Sequence, residues 1–191
     1  LLALLLAGGL RGAGAVPPLG SLLDPWGGVW AVGRDADRLP EGEIPIPGLE
    51  AAVEVRVDDR GVPHVFATTE ADAARALGWL VARDRLFQLE LQTRATAGRL
   101  TELVGRAALR ADRDSREWGL AWGAERTWAA LDPASPGVRM MTAYADGVNA
   151  WIDGLDPAEY PLEYRMLRAR PMRWEPKYTL YLMARDRTSV V

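Results

Sequence analysis

The chain has 191 residues, with 23 basic and 26 acidic side chains and a net charge of −3, which excludes a polybasic nucleic-acid arm and an acidic disordered tail. Apolar residues make up 49%, among them eight tryptophans, so the chain has the material for a core of its own, as one domain or part of a larger one. The absence of cysteine removes disulfides, thiolate zinc sites and a cysteine nucleophile; the single histidine, His64, removes His-rich metal clusters and leaves any Ser-His-Asp triad dependent on that one residue. Lys177 is the only lysine and Asn149 the only asparagine, a skew that reflects base composition and not mechanism.

The chain opens on Leu1-Leu-Ala-Leu-Leu-Leu-Ala-Gly-Gly-Leu10, then Arg11. This run has the length of a signal-peptide apolar region and is too short to span a bilayer, which takes roughly 20 residues. Residues 1–16 therefore read as the remnant of an export signal, with an uncleaved anchor and a buried helix as alternatives. Residues 17–50 form a Pro- and Gly-rich leader segment in which the prolines forbid long helices. Its apolar cluster around Leu22, Leu23, Trp26, Val29 and Trp30 suits a segment laid over a body. Asp35-x-Asp37 lacks the Gly and distal Glu of a calcium loop and reads as a solvated turn.

Residues 51–191 are the third unit. Val53-Glu-Val-Arg-Val57 alternates as a half-buried strand does, Asp58-Asp-Arg-Gly61 is a turn, and Val62-Pro-His-Val-Phe66 is a second strand, so a β-hairpin is expected. Pro63, with no N–H, belongs at that strand's start or edge. Thr69-Glu-Ala-Asp72 opens a helix running to about Leu100, with Ala73, Leu77, Leu80, Val81, Phe87 and Leu91 on one face and an irregularity at Gly78. A short amphipathic turn, Thr101–Val104, precedes a helical stretch over 106–131. Ser135-Pro136 caps a helix on which Val138, Met141, Ala145, Val148 and Ile152 recur at helical spacing up to Gly154. A Pro-broken segment follows, then a last helix from about Lys177. There is no internal repeat.

Few residues offer chemistry. His64, inside a strand beside Pro63, reads as structural. Asp84 and Arg85 lie among Leu80, Val81, Leu86 and Phe87, so both are expected to be buried and paired, with Gln88 one turn on from Asp84. Asp112, Asp114 and Arg116 read as an exposed charged turn. Glu159 and Glu163 are separated by Pro161 and do not form a glycosidase pair.

Five stretches, in order, resemble the penicillin acylase family: Val57-Asp-Asp-Arg-Gly-Val-Pro-His-Val-Phe-Ala67, Leu77-Gly-Trp-Leu-Val-Ala-Arg-Asp-Arg-Leu-Phe-Gln88, Ala97-Gly-Arg-Leu-Thr-Glu-Leu-Val-Gly105, Tyr144-Ala-Asp-Gly-Val-Asn-Ala-Trp-Ile152 and Pro171-Met-Arg-Trp-Glu-Pro176. Leu22–Trp30 resembles the leader of one secreted branch. The resemblance identifies Gly61, Pro63, His64, Asp84, Arg85 and Gln88 as structural signature positions. It implies an N-terminal-nucleophile hydrolase of α+β class with an αββα core, to which this chain contributes a hairpin and mostly helices, as an alpha-chain portion truncated at its C-terminus. It also implies export to the periplasm or medium, a beta chain of the same precursor as partner, a structural calcium in the complete protein, and hydrolysis of the linear amide of an N-acyl compound: a β-lactam side chain, an acyl-homoserine lactone or a lipopeptide. The nucleophile would be a serine freed by self-cleavage downstream of Val191, and the calcium carboxylate is likewise expected downstream. No catalytic, metal or cofactor residue is assigned here. Ser189 lies in no resemblance to a cleavage junction, and Arg187 stands where the family's pocket would have a methionine. These residues alone are expected to be inactive. A non-catalytic helical binding or scaffold domain of the same architecture is the alternative, and a membrane-anchored structural protein, resting on the first ten residues, is a third.

Overall fold

The alternation of residues 53–66 produces a two-stranded antiparallel hairpin, and helices follow. The computed structural model describes residues 42–188. Residues 1–16, the 17–41 part of the leader, Asp35-x-Asp37 and Ser189 lie outside the described residues.

Strands β1 (Glu54–Val57) and β2 (Pro63–Phe66) pair with Val55 opposite Val65 and Arg56 opposite His64. Val55, Pro63 and Val65 form the half-buried face, while Arg56 and His64 stand on the exposed one. After the hairpin come α1 (Glu70–Ala97), α2 (Thr101–Val104), a 3-10 turn (Gly105–Ala108), α3 (Leu109–Trp118), α4 (Leu120–Ala130), α5 (Pro136–Gly154), a second 3-10 turn (Pro157–Glu159), α6 (Leu162–Leu167) and α7 (Tyr178–Thr188). No described helix is long and apolar enough to cross a membrane.

Helix α1 begins where expected. The Thr69 hydroxyl accepts from the Asp72 amide at 3.1 Å. The Asp72 carboxylate then accepts from the amides of Glu50 (2.9 Å) and Ala51 (3.2 Å), tying the incoming chain to the helix N-terminus. Gly98 ends the helix in the left-handed region (φ 62°, ψ 45°), with its amide bonded to Ala95 O and that of Arg99 to Arg94 O.

The expected irregularity at Gly78 lies elsewhere, at Arg85, whose φ of −140° and ψ of 26° kink α1. Gly78 is instead a point of close helix contact: a Cβ there would sit 2.1 Å from Tyr144 O of α5. Gly147 answers it from α5, where a Cβ would lie 1.9 Å from Arg75 O of α1. The two backbones approach so closely because neither residue carries a side chain at the crossing. Around this contact the core gathers Ala82, Leu86 and Leu89 of α1, Ala145 and Val148 of α5, Ala124 of α4, Tyr164 of α6, Trp174 ahead of α7, and Tyr178 and Tyr181 in its first turn. Edge-on ring pairs close it, Trp79 with Trp151 at 5.0 Å and Trp174 with Tyr178 at 5.5 Å. Burial pushes Tyr144 and Tyr178 up to about 12, Tyr178 helped by its hydrogen bond to Glu175.

The helical stretch over 106–131 is two helices broken at Gly119 (φ 67°). Of the exposed charged turn expected at Asp112, Asp114 and Arg116, the last two are exposed, but the stretch is helical and the expectation for Asp112 is corrected. Asp112 is buried on α3, and its carboxylate accepts from Leu100 N (2.7 Å), Thr101 N (2.9 Å) and Thr101 Oγ1 (2.7 Å). It thus caps the N-terminus of α2 from another helix. Arg116 donates to Gly98 O at 2.9 Å, while Asp114 is exposed.

Candidate functional site

The hairpin turn is built by one carboxylate. Asp58 Oδ1 accepts from the amides of Arg60 and Val62, both at 2.9 Å, and Oδ2 lies 3.2 Å from His64 Nε2. The bond from Val62, then that from His64, hold the Asp58 carboxyl below the usual carboxylate range. Gly61 completes the turn at φ 79°. His64 is therefore partnered to the turn, on the exposed side of the sheet.

Beside this turn lies an open cleft of about 410 Å³, with Arg60, Gly61, Val62 and Pro63 on the hairpin side and Leu77, Leu80, Val81, Asp84 and Arg85 on the α1 side. The spacing of Leu77, Leu80, Val81 and Asp84 puts them on one stripe of the helix. The apolar stripe expected to face the core is thus, in part, a cleft wall. Four of the signature positions, Gly61, Pro63, Asp84 and Arg85, meet here, while His64 and Gln88 do not line the cleft.

Asp84 and Arg85 are not buried. The Asp84 side chain is 48% exposed and pairs at 3.0 Å with its neighbour Arg83, not with Gln88. Arg85 has no hydrogen-bond or ion-pair partner among the described residues. Their neighbours Leu80, Ala82 and Leu86 are buried while Asp84 and Arg85 stay exposed, and the helix kinks at Arg85. No Ser, Thr or His lines the cleft, so its apolar walls and charged end are equipped to bind a group and not to attack one.

The buried charges lie further along α1. Glu90 is 2% exposed and accepts from Arg94 Nε (2.7 Å), Tyr164 Oη (2.7 Å) and Met172 N (2.9 Å). Burial, and then the charge of Glu90, push the Tyr164 hydroxyl far up, so it stays a donor. Arg94 also pairs with Glu102. The i, i+4 spacing of Glu90 and Arg94, with Glu90 between Leu89 and Leu91, was the available signal for this site. Asn149 similarly holds the chain ahead of α7, donating to Trp174 O (2.9 Å) and accepting from Trp174 N (2.8 Å). Glu159 accepts from the Asp156 amide at 3.0 Å as a turn cap, which leaves it no role with Glu163. A calcium site does not fit here: among the described residues no three acidic or histidine side chains converge, and the oxygens of Asp72, Glu90 and Asp112 are taken by N–H and O–H donors.

Residues 52–188 match the profile of the penicillin amidase family. The chain belongs to the penicillin amidase family. It is 42% identical over 144 residues to a penicillin acylase 2 proenzyme of a Pseudomonas species, a match covering 75% of this chain and 18% of that protein. It is 34% identical over 174 residues to an acyl-homoserine lactone acylase of Pseudomonas aeruginosa, covering 90% of this chain and 20% of the other. A thermostable penicillin G acylase from Alcaligenes faecalis is similar in structure, with a TM-score of 0.65 and 28% identity, over 73% of this chain and 75% of the solved chain. The penicillin amidase fold seen here is of α+β class, a hairpin followed by packed helices. The chain spans a fifth or less of the length of these curated family members.

Proposed function

We propose that this chain is the alpha-chain portion of an exported, self-processing amidohydrolase that cleaves the linear amide of an N-acyl compound with water, releasing a carboxylic acid and an amine. The observation that carries this reading is a contrast in coverage. The chain matches three quarters of a solved penicillin G acylase chain but only 18% of a penicillin acylase proenzyme. A unit of this size is therefore a chain by itself in one relative and a small part of a precursor in another.

The residues at hand agree with a nucleophile supplied from elsewhere. There is no cysteine, and His64 is committed to the Asp58 turn. A freed N-terminal serine needs neither, since its own α-amino group, titrating near roughly 8, can serve as base. The same reading assigns the structural calcium to residues outside those described, and export to the apolar run at the start of the chain.

Expression of the whole gene product tests this. Two chains should separate on a denaturing gel, the second beginning with serine by N-terminal sequencing. Mass spectrometry should show the free acid released from a penicillin or an acyl-homoserine lactone. Residues 1–191 alone should release none. An unprocessed product with no hydrolysis of either compound overturns the reading in favour of a non-catalytic binding domain.

A further inference from the structure

Helix α3 is turned inside out. Its one buried residue is Asp112, whose carboxylate serves α2, and Arg116 reaches back to Gly98 O at 2.9 Å, so what α3 turns to the body is polar. Its large apolar side chains are left to solvent, with Leu109 39% exposed and Trp118 70%. Gly119 (φ 67°) then bends the chain, and Trp122 follows in the first turn of α4, 66% exposed. These two tryptophans are the most exposed large apolar side chains among the described residues, and they stand on either side of one bend. The charge around the bend is mostly cationic, in a chain whose net charge is −3. Arg106, Arg110 and Arg113 are exposed with no side-chain hydrogen bond or ion pair among the described residues, and Arg126 lies over the Trp122 ring at 5.0 Å from its centroid. Against them stand the exposed Asp114 and Glu117, since Glu125 is taken by the Tyr181 hydroxyl (2.7 Å) and by Lys177 (3.6 Å).

We propose that this bend docks on an anionic lipid bilayer, with Trp118 and Trp122 seated at headgroup depth and Arg106, Arg110, Arg113 and Arg126 on the lipid phosphates. An indole suits that depth because its ring is apolar and its N–H polar, and a guanidinium pairs with phosphate through two N–H groups. Arginines near the surface add attraction to an anionic leaflet. Two rings on a bend, set among unpaired arginines, match a soft anionic surface, which needs no complementary shape. The contact is peripheral, in keeping with described helices of which none is long and apolar enough to cross a membrane. The leader is a poorer occupant, because the chain enters at the other end of α1. Gly48 lies against the Arg75 guanidinium and the Glu50 and Ala51 amides are bound to Asp72, whereas α3 folds against Gly98, roughly 39 Å further along the helix at 1.5 Å per residue.

The test mixes the full-length gene product with vesicles of phosphatidylcholine alone, or of phosphatidylcholine and phosphatidylglycerol in equal parts, and pellets them. Wild type should pellet with the anionic vesicles in roughly 0.1 M salt and come off in roughly 1 M, where charges are screened within about 3 Å. The apolar run at the start of the chain holds the protein to either vesicle if it is retained, so the readout is the difference between variants that share it. Trp118→Ala with Trp122→Ala, and Arg110→Glu with Arg113→Glu, should each lower the affinity for anionic vesicles about tenfold or more. Arg110→Lys with Arg113→Lys should keep most of it, and Phe66→Ala, an exposed aromatic on the hairpin, should keep all of it. A benzophenone amino acid at Trp118 should cross-link lipid in the anionic vesicles on irradiation, a readout that needs no destabilising variant. Wild type that ignores anionic vesicles, double variants that bind them as wild type does, or cross-links only to peptides of this molecule or another, each overturn the proposal. None of these readouts needs processing or hydrolysis, so the result stands apart from the proposed activity.

Discussion

The two halves of α1, on either side of the kink at Arg85, treat the same chemistry in opposite ways. Before the kink, Asp84 pairs with Arg83 across 3.0 Å at the surface. After it, Glu90 pairs with Arg94 across 2.7 Å with almost no exposure. Both acids have leucines close by in sequence. What separates them is the supply of donors: Tyr164 of α6 and the Met172 amide converge on Glu90, and no other element reaches Asp84. A carboxylate is buried where its oxygens can be satisfied, and apolar neighbours along the helix do not ensure that.

The sharpest way to break this comparison is to remove both acids. Glu90→Ala leaves Arg94 and the Tyr164 hydroxyl without their partner and should lose about 3–5 kcal/mol in urea denaturation. Asp84→Ala should lose no more than about 1 kcal/mol, as an exposed pair does. Equal losses would show that the two halves do not differ in the way described.

The next largest effect lies at the crossing of α1 with α5. Gly147→Ala would place a methyl 1.9 Å from Arg75 O, so the helices must part. About 3 kcal/mol or more should be lost, with a changed near-ultraviolet signal from the neighbouring Trp79–Trp151 pair. An unchanged melting temperature would mean that the helices cross with more room than this.

Asp112 offers a smaller effect with a pH signature. Burial would raise its carboxyl, but the bonds from Thr101 and Leu100 outweigh burial and hold it low. Asp72 is held low chiefly by the Glu50 amide. A lowered folded value stabilises the fold above the unfolded value of roughly 4, and this is lost as pH falls through the folded value. Stability should therefore drop below about pH 4. In Asp112→Asn that acid-side drop should be smaller, with about 2 kcal/mol lost at neutral pH. An acid limb identical to wild type would remove Asp112 from the account.

Much of this molecule was legible from order and spacing. The hairpin follows from strict alternation over 53–57 and a D-x-x-G turn, the start of α1 from Thr69 and Asp72, the start of α5 from Ser135-Pro136, and the family from five stretches in sequence. These are local, because strand alternation, capping and φ restriction act between residues a few positions apart. What the sequence did not reveal involves partners far along the chain. Asp112 caps a helix eleven residues back, Gly78 matters because Tyr144 lies against it, and Glu90 is buried because Met172 is 82 positions away. Apolar spacing placed Leu77 and Leu80 on one stripe of α1, but only the packing of the hairpin and α5 around that helix decided which part of the stripe became core and which became the open wall beside Arg85.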